Sequence, residues 1–485
     1  MASRPLLSAP LPSAPTTWPY HTAKVASLPA HLLMRGDRRL EGDVYLTSGY
    51  GVRLALEAQP AGWVPLGQLA RVWQPGRLKG IQVGPQYGTP FLAATQVLDF
   101  RPSPRKFLAL DRTDDAANRF VKPGTILITC SGNVGKATLA VNAHEKLLIS
   151  HDLLRIETAK NNWGWVYAYL RSPQARAMMS AAQYGHVIKH LEVGHLEKLP
   201  VPQLTPKRLA TFQAGYERIL EARNRSFELL QAAETKYADL FPGFTAVSDD
   251  VVGFSASSAQ MGGRRLRMEA TYHAPSVQHI HATYQRHARA VVSLASVTEK
   301  IIVPGRFKHV YGDGGTPYID SADLLEVNPD ITKYVLKMEE KEQAQYHVEA
   351  GWLLVPCSGQ VYGNIGHVVL ATQWHTQKML TNHALRIAPD TTKIRAGYLQ
   401  CVLGHPQLGR PQTVRFAFGA SVPEIAAADV ALVPVPRFAS KIENELANMM
   451  EESAILRSEA DTLENHLAAE AEALLDRFIA GERLD

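Results

Sequence analysis

The chain has 485 residues, of which 46% are hydrophobic and 20% charged. That is a globular profile with room for two or three domains and sizeable cores. The formal net charge is only +5 and the pI near 8.9, which admits a nucleic-acid partner without demanding one. Cys130, Cys357 and Cys401 form no CxxC pair, so a zinc knuckle and a disulfide framework are excluded and a reducing cytoplasm is the expected compartment. No apolar run is long enough to span a bilayer, so no membrane partner is expected.

Residues 1–38 are rich in Pro, Ser and Ala and read as a poorly ordered extension. Residues 39–204 form a first block of short apolar strands with Gly/Pro punctuation, interrupted by one helix at about 165–184. Residues 205–244 hold a long helix that starts at Pro206, with Thr205 as its cap, and stops at Pro242-Gly243. Its stripe steps by threes and fours through Leu209, Phe212, Tyr216, Ile219, Arg223, Phe227, Leu230, Ala233 and Tyr237, the seam of a coiled coil. Arg223 is expected to lay its stem along the seam while its head snorkels to water. Residues 245–263 read as a Ser/Gly-rich linker, 264–437 as a second block, and 438–480 as a second long helix with the same rhythm.

Self-comparison shows a duplication. Gly76-Arg-Leu-Lys79 recurs as Gly305-Arg-Phe-Lys308, Gly88-Thr-Pro-Phe-Leu92 as Gly315-Thr-Pro-Tyr-Ile319, and Cys130-Ser-Gly132 as Cys357-Ser-Gly359. Leu154-Arg-Ile156 recurs as Leu385-Arg-Ile387, Tyr184-Gly185 as Phe418-Gly419, and Leu199-Pro-Val-Pro202 as Val433-Pro-Val-Pro436. The order is kept, and the displacement stays at about 230 residues. Two copies of one domain, each followed by a long helix, predict an α+β protein with two tandem domains and an antiparallel coiled coil of pseudo-twofold symmetry. Arms of this length would span roughly 50 Å, a reach that suits two half-sites on one long ligand such as DNA.

The run Lys122-Pro-Gly-Thr-Ile-Leu-Ile, then Ser131-Gly, Ser150-His-Asp-Leu, Tyr167-Ala-Tyr-Leu-Arg-Ser-Pro, Tyr184-Gly-His-Val-Ile and Leu199-Pro-Val-Pro before a heptad helix resembles the specificity subunit of type I restriction–modification systems. The resemblance covers both halves and is better in the first. In the second half Tyr362-Gly-Asn364 lengthens the Ser-Gly loop, and Asn382-His383 replaces the His-Asp pair. The resemblance implies two target recognition domains that each read half of an asymmetric, bipartite site in double-stranded DNA. It implies a helical pair that acts as a ruler and docks two adenine methyltransferase subunits. A restriction subunit with motor and nuclease domains can join. S-adenosylmethionine then belongs to the methyltransferase, and this chain needs no cofactor and catalyses nothing. The alternative is a non-catalytic DNA-binding adaptor or scaffold of another phage-defence complex.

The candidate contacts follow from residue type and position. Arg77 and Lys79, with Arg306 and Lys308, recur at equivalent positions, which suits contacts to phosphates that carry no sequence information. A solvated hairpin edge guarded by charge reads the same way. Base-edge contacts should lie where the copies differ: Gln82, Gln86 and Tyr87 in the first, His309, Tyr311 and Asp313 in the second. Ser131-Gly-Asn-Val-Gly-Lys136 lacks the first glycine and the Ser/Thr of a P-loop. It reads as a tight inter-strand loop or as a backbone-phosphate contact through glycine amides and Lys136. Ser358, Tyr362 and Asn364 occupy the matching loop of the second copy. Tyr184, His186, Lys189 and His190 form a basic stretch with an aromatic, a DNA-facing loop or an ordinary surface one. His186, His190 and His195 lack an acidic third ligand at zinc-motif spacing, so no metal is expected. The Asn-Pro-Pro-Tyr/Phe tetrapeptide of adenine methylation is missing, and Pro389-Asp-Thr-Thr-Lys393 has no acidic partner for nuclease chemistry.

Overall fold

A computed structural model describes residues 29–34, 42–60, 62–183, 190–247, 253–261, 267–336 and 343–484. The chain divides into two compact units, residues 1–221 with 462–485, and residues 222–461. Each long helix therefore gives one part of its length to each unit. The fold is α+β, with two long helices at Pro206–Ala238 and Ser440–Ile479.

In the first unit Ala70–Trp73, Leu153–Thr158, Ile126–Thr129 and Ala137–Leu139 form an antiparallel sheet in that order. A second sheet orders Gln82–Val83, Lys106–Leu108, Thr89–Leu92 and Leu148–Ile149, the last pair parallel. Trp63–Pro65 pairs with Pro200–Pro202. The second unit repeats the scheme. Thr298–Ile302, Ala384–Pro389, Leu353–Pro356 and Val369–Leu370 form the first sheet. Tyr334–Val335, Tyr311–Ile319 and Met379–Leu380 form the second, again with a parallel last pair. Ala290–Ser293 pairs with Pro434–Arg437. Ile126–Thr129 and Leu353–Pro356 are buried throughout, which explains why they read as unbroken apolar runs rather than alternating ones.

The cores correspond residue by residue. Phe91, Leu108 and Leu148 cluster with Leu78 in the first unit, and Tyr318, Val335 and Met379 cluster with Phe307 in the second. Arg155 and Arg386 are fully buried on equivalent strands. Arg155 donates to the carbonyls of Ile149 and Leu153, and Arg386 donates to those of Leu380, Thr381 and Ala384. Each guanidinium thus ties together carbonyls at the start of its own strand and at the turn before it.

The helix expected at about 165–184 is two helices, Lys160–Arg171 and Pro173–Ala182. Ser172 breaks it: its hydroxyl accepts the Ala175 amide at 3.1 Å, and Pro173 takes the first helical position. Lys160–Arg171 meets the start of the central helix at Gly164, where a Cβ would fall 2.5 Å from the Phe212 carbonyl carbon. In the second unit Ala396–Gly404 meets the start of the C-terminal helix at Gly397, where a Cβ would fall 2.4 Å from the Ala447 oxygen. Both contacts bring backbones together as only glycine allows.

The long helices pack antiparallel within each unit. In the second, Arg223 lies 3.3 Å from Asp461, Ser226 faces Ser453, and Lys236 pairs with Glu445, so one helix advances as the other retreats. In the first, Gly215 packs on Leu467, and the Tyr167 hydroxyl donates to the buried Glu464. The buried stripe of the central helix runs Phe212, Tyr216, Ile219, Arg223, Ser226, Leu230, Ala233 and Tyr237. Ser226 replaces the expected Phe227. It is held by reciprocal bonds, its hydroxyl donating to the Ser453 carbonyl at 2.8 Å and the Ser453 hydroxyl to its own at 2.7 Å. Arg223 does not snorkel. It is buried and paired with Asp461, which offsets the desolvation that would otherwise drive its head to water. Among the described residues no helix is long and apolar enough to cross a membrane.

Candidate nucleic-acid interface

The loop after Ala70–Trp73 in the first unit, and after Thr298–Ile302 in the second, carries the recurring cations. In the first unit Arg77 and Lys79 are exposed, and the loop beneath them is fixed. The buried Arg119 donates to the Gly76 carbonyl at 2.7 Å and the Asp114 carbonyl at 3.0 Å. The Gly76 amide donates to Asp115 at 3.1 Å, and the Asp114 amide to the Lys79 carbonyl at 2.9 Å. Bonds from the Asn118 amide and then the Gly76 amide hold the Asp115 carboxyl below the usual carboxylate range. In the second unit the equivalent carbonyl, Gly305, accepts at 2.9 Å from the buried Tyr346 hydroxyl. A guanidinium and a phenol thus hold the same point of one frame.

The Ser-Gly loops also correspond. Ser131 forms an antiparallel bridge with His190, and Ser358 forms the same bridge with Glu424. The next residues close both: the Leu191 amide donates to the Cys130 carbonyl at 3.0 Å, and the Ile425 amide to the Cys357 carbonyl at 2.8 Å. Gly132 has φ 72° and Gly359 φ 128°, and a Cβ at either would meet nothing within 4 Å. Conformation rather than crowding demands glycine there, and the space beside each is open. Gln74, ahead of the cationic loop, donates to the His151 carbonyl at 2.7 Å and so ties that loop to the Ser150–Asp152 turn. Burial pushes the Cys130 thiol up to about 12 and the Cys357 thiol up to about 11, so neither is a thiolate nucleophile at neutral pH.

Other expected positions divide clearly. Gln82, Gln86 and Tyr87 are exposed at and after the edge strand Gln82–Val83, Tyr87 at 77%. Lys308, His309, Tyr311 and Asp313 are exposed as well. His309 stacks on Tyr311 with an interplanar angle of 16° and reaches the Tyr318 hydroxyl at 3.3 Å. Tyr362 is exposed and Asn364 half-buried in a loop whose carbonyls at Val361, Gly363 and Ile365 all accept from Arg410. Ser358 is bonded to His383 at 3.0 Å.

Lys136 corrects the expectation. It is 5% exposed, and its amide donates to the Thr129 hydroxyl inside a tight turn between Ile126–Thr129 and Ala137–Leu139. It offers no surface cation to a phosphate. Tyr184, His186 and Lys189 lie outside the described residues. His195 accepts the Glu192 amide at 3.2 Å, as a cap. Asp390 accepts the Thr392 amide at 3.1 Å and pairs with Lys393 at 2.8 Å, which makes Pro389–Lys393 a turn. No group of three or more His, Cys, Asp or Glu among the described residues is placed to hold a metal.

Arg119, Tyr346, Arg410 and Glu424 are framework or site residues that sequence reasoning missed. Arg119 and Tyr346 differ in kind, so identity matching passes over them. Arg155 and Arg386 stood inside a recognised repeat, but nothing in the repeat tells a buried arginine from a surface one.

No family model and no curated protein matches the chain. Among solved structures it is similar to the type I restriction–modification S subunit from M. genitalium, with 13% identity, 87% of this chain and 96% of that one covered, and a TM-score of 0.33. It is similar to the HsdS subunit from Thermoanaerobacter tengcongensis, with 16% identity, 87% and 98% covered, and a TM-score of 0.26. It is also similar to a chain from a structure bearing on the assembly and conformational transition of a type I R-M system, with 15% identity, 88% and 99% covered, and a TM-score of 0.27.

Proposed function

We propose that this chain is the DNA-specificity subunit of a type I restriction–modification complex. It reads an asymmetric double-stranded site in two halves, one per unit, and brings adenine methyltransferase subunits to it. The observation that carries the reading is the repeated frame with unlike side chains at equivalent points. The Ser131–His190 and Ser358–Glu424 bridges are the same structure bearing different chemistry. A shared frame supplies the positioning contacts, and its variable side chains supply readout. The paired long helices, which run through both units, are the element that would set the spacing and dock the partners. The chain itself is non-catalytic on this reading, and S-adenosylmethionine is bound by the methyltransferase. A restriction subunit is an additional partner.

Methyladenine mapping in cells that express the methyltransferase, with and without this gene, tests the reading. The expected result is a bipartite motif with one modified adenine in each half, present only with the gene. An identical methylome in both strains, with the methyltransferase confirmed as expressed, overturns it.

A further inference from the structure

We infer that Glu424 is a base-reading residue of the second unit, its carboxylate accepting from the exocyclic amino group of a cytosine in the major groove. The inference rests on the DNA reading above and names one position within it. Glu424 is held on a rigid platform. Its backbone exchanges two hydrogen bonds with Phe418, at 2.8 and 3.0 Å, and bridges Ser358 on its other side. The side chain is 46% exposed, so a fixed backbone aims the carboxylate outward. His190 occupies the equivalent position in the first unit. One site of a common frame thus carries an acceptor-only group in one copy and an imidazole in the other, as a readout position requires.

The charge argument narrows the occupant. A carboxylate beside the DNA backbone would be repelled by phosphates, whereas against base edges it can accept from cytosine N4. Arg306 lies 3.9 Å from Glu424 and is itself 81% exposed. A pair that exposed is worth little and can part when DNA arrives, leaving the cation to phosphate and the carboxylate to the base. The exposed Tyr362, Phe418 and Val422, at 65, 42 and 58%, give the neighbouring loops an apolar face. Such a face can cover base edges and keep water from the carboxylate.

The test is selection from a randomised double-stranded DNA library by the complete complex, with the wild-type chain, E424Q and E424A, each checked for an unchanged thermal midpoint. E424Q should change one base pair of one half-site from C to A, because an amide pairs bidentately with adenine N6 and N7. E424A should lose discrimination there by at least about tenfold while the other half-site stays intact. A wild-type motif that E424Q leaves unchanged at every position overturns the inference alone. So does a uniform loss of affinity across all sequences. A wild-type selection that returns no motif overturns the DNA reading itself, and the inference with it.

Discussion

The cationic loops of the two units are tied at one equivalent carbonyl, Gly76 and Gly305, and the means differ. Arg119 holds Gly76 and also Asp114, whereas Tyr346 holds Gly305 with a single hydroxyl. The comparison teaches that the duplication preserves where the backbone must be tied rather than which residue ties it. Breaking both ties is the sharpest test. Arg119→Met should cost about 3 kcal/mol in denaturant unfolding, because it removes two charge-assisted bonds and leaves both carbonyls without their donor. Tyr346→Phe should cost about 1 kcal/mol, the loss of one neutral bond. Equal costs would mean that the two ties are not counterparts.

A second test concerns a device that the units share. His144 accepts the Val141 amide at 3.1 Å, and His375 accepts the Thr372 amide at 3.1 Å. Burial pushes His144 down to about 4 and His375 down to about 3, with the charges of Arg457 and Lys378 adding to the second. The folded rings stay neutral while the unfolded chain protonates below its ordinary value near 6.5. The unfolded state then binds more protons, so stability falls as pH drops. Each histidine should cost about 2 kcal/mol between pH 6 and 4.5. Unfolding midpoints measured across that range should flatten in His144→Asn for the first unit and in His375→Asn for the second. A variant whose slope equals wild type would show that its ring is not the group being titrated.

Much of this architecture was legible in the chain, and the gaps have physical causes. Short identities such as Cys-Ser-Gly and Pro-Val-Pro mark a bridged loop and a paired strand with strict backbone demands, so they survive duplication and can be seen. The heptad stripe was visible because helix packing needs apolar or small residues at fixed steps. It slipped by one residue at Ser226 because hydrophobicity favours Phe227, while the reciprocal serine bonds that decide the register need a partner far along the chain. Arg223 was misplaced for the same reason, since Asp461 is not near it in sequence. Lys136 looked exposed because lysine usually is, and only the tight turn at Thr129 puts it inside. The Ser172-Pro173 break carried a clear cap signal, and apolar continuity across it concealed the boundary.

The smallest expected effect is also the one that separates the two loops by charge. Arg77 and Lys79 are exposed cations, whereas Arg306 already faces Glu424 at 3.9 Å. If all four cations meet phosphates, each neutralised phosphate releases counterions and adds about 0.9 to the slope of log affinity against log salt. Arg77→Ala with Lys79→Ala should therefore reduce the slope by about 2. Arg306→Ala with Lys308→Ala should reduce it by nearer 1, because the carboxylate of Glu424 beside Arg306 lowers the net positive charge that displaces counterions there. Titration of a fluorescent duplex at several salt concentrations gives both slopes. The drop in affinity must be the same for every sequence, because phosphates carry no base information. A drop confined to one half-site would move these cations from positioning to readout, and the two loops would then differ in function as well as in charge.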